Sequence, residues 1–184
     1  MFKWLLHRKL RAFERAHAYD ASYMHEVLDT DLGAFVKFGL ATSVGSYRKD
    51  CPLAAHVAAG LTSSMHADCG PCTQLGVGFA LQGGVAPATV AAIIAGDEAA
   101  MPDDAALAFR FARAVIAHAP EADAYREEIV RRWGPRAVLS LTYAIMAGQL
   151  YPTLKYALGH GKACMRVVVG EQVVTPPRPL PGAA

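Results

Sequence analysis

Pro52-Leu53-Ala54-Ala55-His56-Val57-Ala58-Ala59-Gly60-Leu61-Thr62-Ser63-Ser64-Met65-His66-Ala67-Asp68-Cys69-Gly70-Pro71-Cys72 is the stretch on which the fold turns. Leu53, Val57, Leu61 and Met65 recur at helical spacing, so a helix opens at Pro52 and leads straight into the cysteine pair. Pro71 fixes φ near the helical value and is tolerated in a first turn, so a second helix begins beside it. Cys69 and Cys72 then share one helical face, close enough to join with little backbone movement. Such a pair is first of all a candidate redox dithiol. With Cys69 as N-cap, its sulfur would accept the free N–H of Cys72, and the positive helix end would favour the thiolate. Asp68 works against this: its carboxylate raises a neighbouring thiol pKa unless His66 or the helix end compensates.

Outward from this stretch the helical period continues. Residues 2 to 17 carry Phe2, Leu5, Leu6, Leu10 and Phe13 on one side, with Arg8, Lys9, Arg11 and Arg15 elsewhere, as in a helix packed on a core or interface. Two short helices are expected over 20–29 and 31–41, each preceded or opened by an aspartate. Behind the cysteines, Leu75 and Phe79 continue a helix that ends at Gly83-Gly84. Pro87 to Ala95 reads as a short helix, and Asp103 caps a longer one with Leu107, Phe111, Ala112 and Ile116. Residues 121–133 are charged and amphipathic, and Gly134-Pro135 separates them from an apolar helix over 136–158. Strand signals are nearly absent, so the fold is expected to be all-α. From Lys162 onward, Val167-Val168-Val169 and Val173-Val174 read as a short hairpin. The run from Thr175 to Pro181 reads as a solvated tail or an arm laid on a neighbouring subunit.

The chain has 184 residues, 53% hydrophobic and 18% charged, with a net charge of +2. Its mean hydropathy of +0.21 points to apolar surface covered in an oligomer. Lysine and arginine are scattered, which marks no nucleic-acid surface. The uncharged run Ala137 to Leu154 is interrupted by Ser140, Thr142, Gln149 and Pro152, so it reads as a buried helix and not a membrane span. Trp4-Leu5-Leu6 is too short for a signal-peptide core and is followed by His7, Arg8 and Lys9. Four cysteines, two of them clustered, do not form a secreted disulfide framework, so a cytoplasmic protein with thiols reduced at rest is expected.

Cys-Gly-Pro-Cys is also the thioredoxin tetrapeptide, but there it follows a β-strand, whereas Ala54 to Gly60 reads as helix. An all-α chain with Cys69-Gly70-Pro71-Cys72 opening a central helix, then Gly83-Gly84-Val85 and a short helix from Pro87, resembles the AhpD-like, carboxymuconolactone-decarboxylase-related proteins. The resemblance continues through Leu107 to Ala114 and the helix 136–158. It divides the chain into an N-terminal helical extension (1–34), an AhpD-like helical domain (35–165) and an extended Pro-rich tail (166–184). It implies a helical homo-oligomer, a trimer or hexamer, with Cys69 and Cys72 as the active thiols. It also implies reduction of a peroxide or disulfide without metal or flavin, with a protein as electron donor. By the same resemblance Cys72 attacks and Cys69 resolves, while capping geometry would make Cys69 the better nucleophile, so the order stays open. The family's histidine falls on Gly76 and its glutamate on Val57, and neither moves a proton.

A dithiol enzyme needs an acid–base partner. His66, three residues before Cys69, is the leading replacement, and His56, beside the lost glutamate position, the second. Cys72, Gly76 and Ala80 form a ridge of small side chains that lets a helix or a ligand approach the dithiol. The expected function is a thiol–disulfide oxidoreductase or alkylhydroperoxidase-like reductase using Cys69, Cys72 and His66. The alternative is a relay-deficient member that binds a small hydrophobic ligand or partner, its thiols structural or regulatory. Zinc held by Cys69, Cys72 and His66, completed by Cys51 or Cys164, is the non-redox reading of the same residues.

Overall fold

A computed structural model describes residues 2–162 and 166–177, so Cys164 and the run beyond Pro177 lie outside the described residues. The elements in chain order are α1 (Phe2–His17), α2 (Ser22–Thr30), α3 (Leu32–Thr42), α4 (Leu53–His66), α5 (Gly70–Gln82), α6 (Pro87–Ala95), α7 (Asp103–Ile116), α8 (Glu121–Trp133) and α9 (Pro135–Ala157), then strands β1 (Val167–Val169) and β2 (Gln172–Val174). The chain is mostly helical, as its periodicity requires, and each helix lies within two residues of its expected place.

Local chemistry sets the boundaries. Asp31 caps α3, its carboxylate accepting from the Ala34 N–H at 2.5 Å. Gly96 closes α6 in the left-handed conformation that a residue without Cβ adopts freely. Asp103 does not cap α7: it is the first helical residue behind Pro102, where its charge complements the helix dipole.

α4 is the central helix, packed against α7 and α9 and flanked by α5 and α6. Its buried Ala55, Ala58, Ala59 and Leu61 meet Ile93 of α6, Phe109 and Phe111 of α7 and Leu141 and Ile145 of α9. Small residues make the closest approaches. At Gly148 of α9 an added Cβ would stand 2.8 Å from the Gly60 carbonyl oxygen, and the Ser63 hydroxyl donates to the Ile145 carbonyl at 2.6 Å. Although α9 spans 23 residues, no helix among the described residues is long and apolar enough to cross a membrane.

The hairpin expected from the two valine runs is present: β1 and β2 pair antiparallel with Val168 opposite Val173, and Val167 and Val169 are buried against α5 and α6. Strand alternation puts both valines on one face, and that face is apolar enough to join the core. α3 runs continuously across residue 34. α1 is tied to α2, where the His7 and His25 Nδ1 atoms lie 2.6 Å apart and His7 Nε2 meets the Asp29 carboxylate at 2.8 Å.

Candidate functional site

The turn between α4 and α5 places the cysteines. Asp68 takes a left-handed φ of 50°, a conformation that aspartate tolerates better than most side chains, and turns the chain between the helices. Its carbonyl accepts from the Tyr156 hydroxyl at 3.0 Å, and the Gly70 N–H donates to the Lys162 carbonyl at 3.1 Å. The end of α9 and the segment after it therefore brace the start of α5. Cys69 is the N-cap residue, with Pro71 in the first turn. Its sulfur caps nothing, in contrast to the sequence expectation, because it lies at disulfide distance from the Cys72 sulfur, with Cα atoms 5.3 Å apart.

The two thiols differ in access. Cys69 is fully buried, at 0% exposure. Cys72 is half-buried and lines a cavity of about 670 Å³ enclosed by α1, α2, α4, α5, α9 and the turn Ser43–Ser46. The small-residue ridge faces this space, since Cys72, Gly76 and Ala80 all line it. At Gly76 an added Cβ would stand 2.9 Å from Leu61 Cδ2, so the glycine admits the Leu61 side chain. Val57 lines the cavity as well, so both positions at which the sequence resemblance looked for a proton relay are apolar wall. α1 contributes Leu10 and Phe13, with the Phe13 ring centroid 6.5 Å from that of Phe79 on α5.

The sequence-expected histidines fall in different places. His66 is exposed at the last residue of α4 and does not line the cavity. His56 does line it. Its Nε2 lies 3.1 Å from the Gly45 carbonyl, which fixes that nitrogen as the donor, while Nδ1 is buried without a partner among the described residues. Burial lowers the His56 pKa, so the neutral ring dominates.

The helix registers show how far His56 stands from the dithiol. Gly76 meets Leu61 and Gly83 meets Leu53, so α5 runs antiparallel to α4 and Cys72 lies level with Ser64. His56 is two turns away, roughly 12 Å along the axis. Among the described residues no three His, Cys, Asp or Glu side chains gather as a metal site. Cys51 is buried, and burial pushes its thiol up to about 11.

Behind the cavity wall formed by Tyr19 and Tyr23 stands a group that sequence reading missed. Lys155 of α9 is 3% exposed, and its Nζ donates to the Tyr19 hydroxyl at 3.1 Å. The ammonium sits 4.6 Å from the Tyr19 ring centroid and 4.9 Å from that of Tyr23. The Tyr19 and Tyr23 hydroxyls are 3.2 Å apart, and both residues line the cavity. Desolvation raises both tyrosine pKa values and lowers that of Lys155. The available signal was Lys155 itself, the only charged residue after Arg136 in α9.

No family model, curated protein or solved structure matches this chain.

Proposed function

We propose that the protein is a thiol–disulfide oxidoreductase of AhpD-like type whose Cys69–Cys72 pair reduces an apolar hydroperoxide or disulfide. The observation that carries this reading is the placement of the pair, with Cys72 in the wall of a large apolar cavity and Cys69 sealed behind it. Cys72 is the thiol that a bound substrate reaches, so Cys72 attacks and Cys69 resolves. With a hydroperoxide, the Cys72 thiolate takes the terminal oxygen as the O–O bond breaks, and the alkoxide leaves as an alcohol with the proton that the thiol gave up. The Cys69 thiol then displaces water from the Cys72 sulfenic acid and closes the disulfide. The peroxide gains two electrons and the dithiol loses two, and an external dithiol protein returns them. A disulfide substrate is reduced to two thiols through a Cys72 mixed disulfide by the same count.

His66 has no part in this scheme, because it lies outside the cavity. The test is turnover of cumene hydroperoxide and of an aromatic disulfide with dithiothreitol as reductant, followed by intact mass. Reduction of either substrate, with the protein cycling by two protons, supports the reading; a dithiol inert to both overturns it.

A second reading keeps the cavity and drops the chemistry: a relay-deficient relative that binds a small hydrophobic ligand, its thiols structural or regulatory. The apolar Val57 and Gly76 in the cavity wall favour it.

Homo-oligomerisation belongs to the same proposal. α3 is rich in apolar residues yet has none buried, and Val36 and Leu40 are 46% and 67% exposed. A second copy of this chain covering that face would remove these groups from water. Light scattering is expected to show a trimer or hexamer that Val36→Glu with Leu40→Glu dissociates. A wild-type monomer at micromolar concentration would overturn the assembly.

A further inference from the structure

The cavity is apolar along most of its wall, yet a buried cation stands behind one end of it, and the hydrogen bonds of that cation run toward the cavity. Among the described residues no carboxylate lies within 4 Å of Lys155 Nζ. The charge is in direct contact with the Tyr19 hydroxyl and the faces of two tyrosine rings, while the exposed Asp20 carboxylate, paired with Lys162, acts on it from beyond contact distance. A buried ammonium normally takes an anionic partner, and leaving it without one is costly.

An ammonium only donates, so the Tyr19 oxygen accepts from Lys155. Across the 3.2 Å between the two tyrosine oxygens either hydroxyl can donate. With an anion in the cavity the chain runs from Lys155 to Tyr19 to Tyr23, which frees the Tyr23 hydrogen, at a residue that lines the cavity, for the anion. A donor polarised through two steps from a buried positive charge is suited to an oxyanion. The neighbouring contacts fix where this donor sits. The Tyr23 ring packs edge-on against that of Tyr151, one turn beyond Gly148 on α9, and Gly148 adjoins Ser63 at the dithiol end of α4. Leu10, Phe13, Leu75 and Phe79 supply apolar wall from α1 and α5.

We propose that this cavity binds a medium- or long-chain carboxylic acid, its carboxylate taking the Tyr23 hydroxyl and the field of Lys155 and its chain lying in the apolar space beside Cys72. A volume of about 670 Å³ lies within the range of pockets that enclose small organic ligands. The bound carboxylate supplies a buried counter-charge, whereas Asp20 acts on Lys155 only from the exposed surface. The proposal rests on the cavity and on Tyr19, Tyr23 and Lys155, and not on the chemistry of the thiols, so it stands or falls separately from the redox reading.

The test is isothermal titration calorimetry of the full chain, with its disulfide formed, against decanoate and against decan-1-ol. Decanoate is expected to bind at least roughly tenfold more tightly than the alcohol, as for a hydrogen bond to a charged group. Tyr23→Phe removes only the terminal donor and is expected to erase most of that preference while leaving decan-1-ol binding unchanged. Lys155→Met should do the same. If that variant fails to fold, the wild-type comparison and Tyr23→Phe decide the matter. Equal affinity for the two probes, binding of neither, or a decanoate preference that survives in Tyr23→Phe would each overturn the proposal.

Discussion

Cys72→Ser is expected to abolish reduction of a hydroperoxide or disulfide, by roughly 10³-fold or more as for a lost nucleophile, whereas Cys69→Ser should stop each molecule after one attack. The difference follows from access, since Cys69 is fully buried and Cys72 opens to the cavity. Mass analysis of Cys69→Ser mixed with an aromatic disulfide should therefore find a stable adduct on Cys72. Cys72→Ser should give no adduct on Cys69. Alkylation of the reduced protein reads the same asymmetry. Cys51 has its thiol pushed up to about 11 by burial, so near pH 8 almost none of it is thiolate, and it should stay unlabelled while Cys72 reacts. Its labelling should begin only as the pH climbs toward that value. An adduct on Cys69 in the Cys72→Ser protein would reverse the assigned order of attack.

The helices were legible in the sequence because each is bounded by residues that act locally. Asp31, Pro52, Pro71, Gly83-Gly84, Pro87 and Gly134-Pro135 interrupt or start helices through their own backbone preferences, and apolar spacing shows the buried face in between. The cysteine pair was legible for the same reason, since three residues of helix determine its geometry. The cavity was not, because its wall comes from six segments that meet only through tertiary packing. His66 is near Cys69 in sequence, yet it ends α4 exposed to solvent, while His56, farther from Cys69 in sequence, lines the cavity. Sequence proximity says nothing of which side of a helix a residue takes once a turn such as Ala67-Asp68 intervenes. The tyrosine and lysine cluster lay further out of reach. Tyr19 and Lys155 are 136 positions apart and meet through the packing of α9 against the segment before α2.

Gly148→Ala is expected to destabilise the fold and to loosen the site with it. The added Cβ would fall 2.7 Å from Ser63 Cβ, 2.8 Å from the Gly60 carbonyl oxygen and 2.9 Å from Ser63 Oγ. The first two atoms belong to the backbone or lie next to it, so no side-chain rotation relieves them, and α4 and α9 must move apart. Overpacking of this kind costs about 1–3 kcal/mol, of which better helix propensity returns up to about 1 kcal/mol. The net loss should lower the thermal midpoint by several degrees, at about 2–4 °C per kcal/mol for a chain of this size. Gly78 on α5 supplies the control, because nothing stands within 4 Å of a Cβ added there. Gly78→Ala should therefore raise the midpoint through propensity alone. The functional consequence follows from position: Tyr151 and Lys155 lie on α9 beyond Gly148, and Cys72 lies level with Ser64 on the other side of α4. Separating the two helices widens the dithiol end of the cavity, so Gly148→Ala should weaken decanoate binding, while Gly78→Ala leaves it unchanged. Midpoints that move together in the two variants would show that the α4–α9 contact has room to spare, and the glycine would then have no packing role.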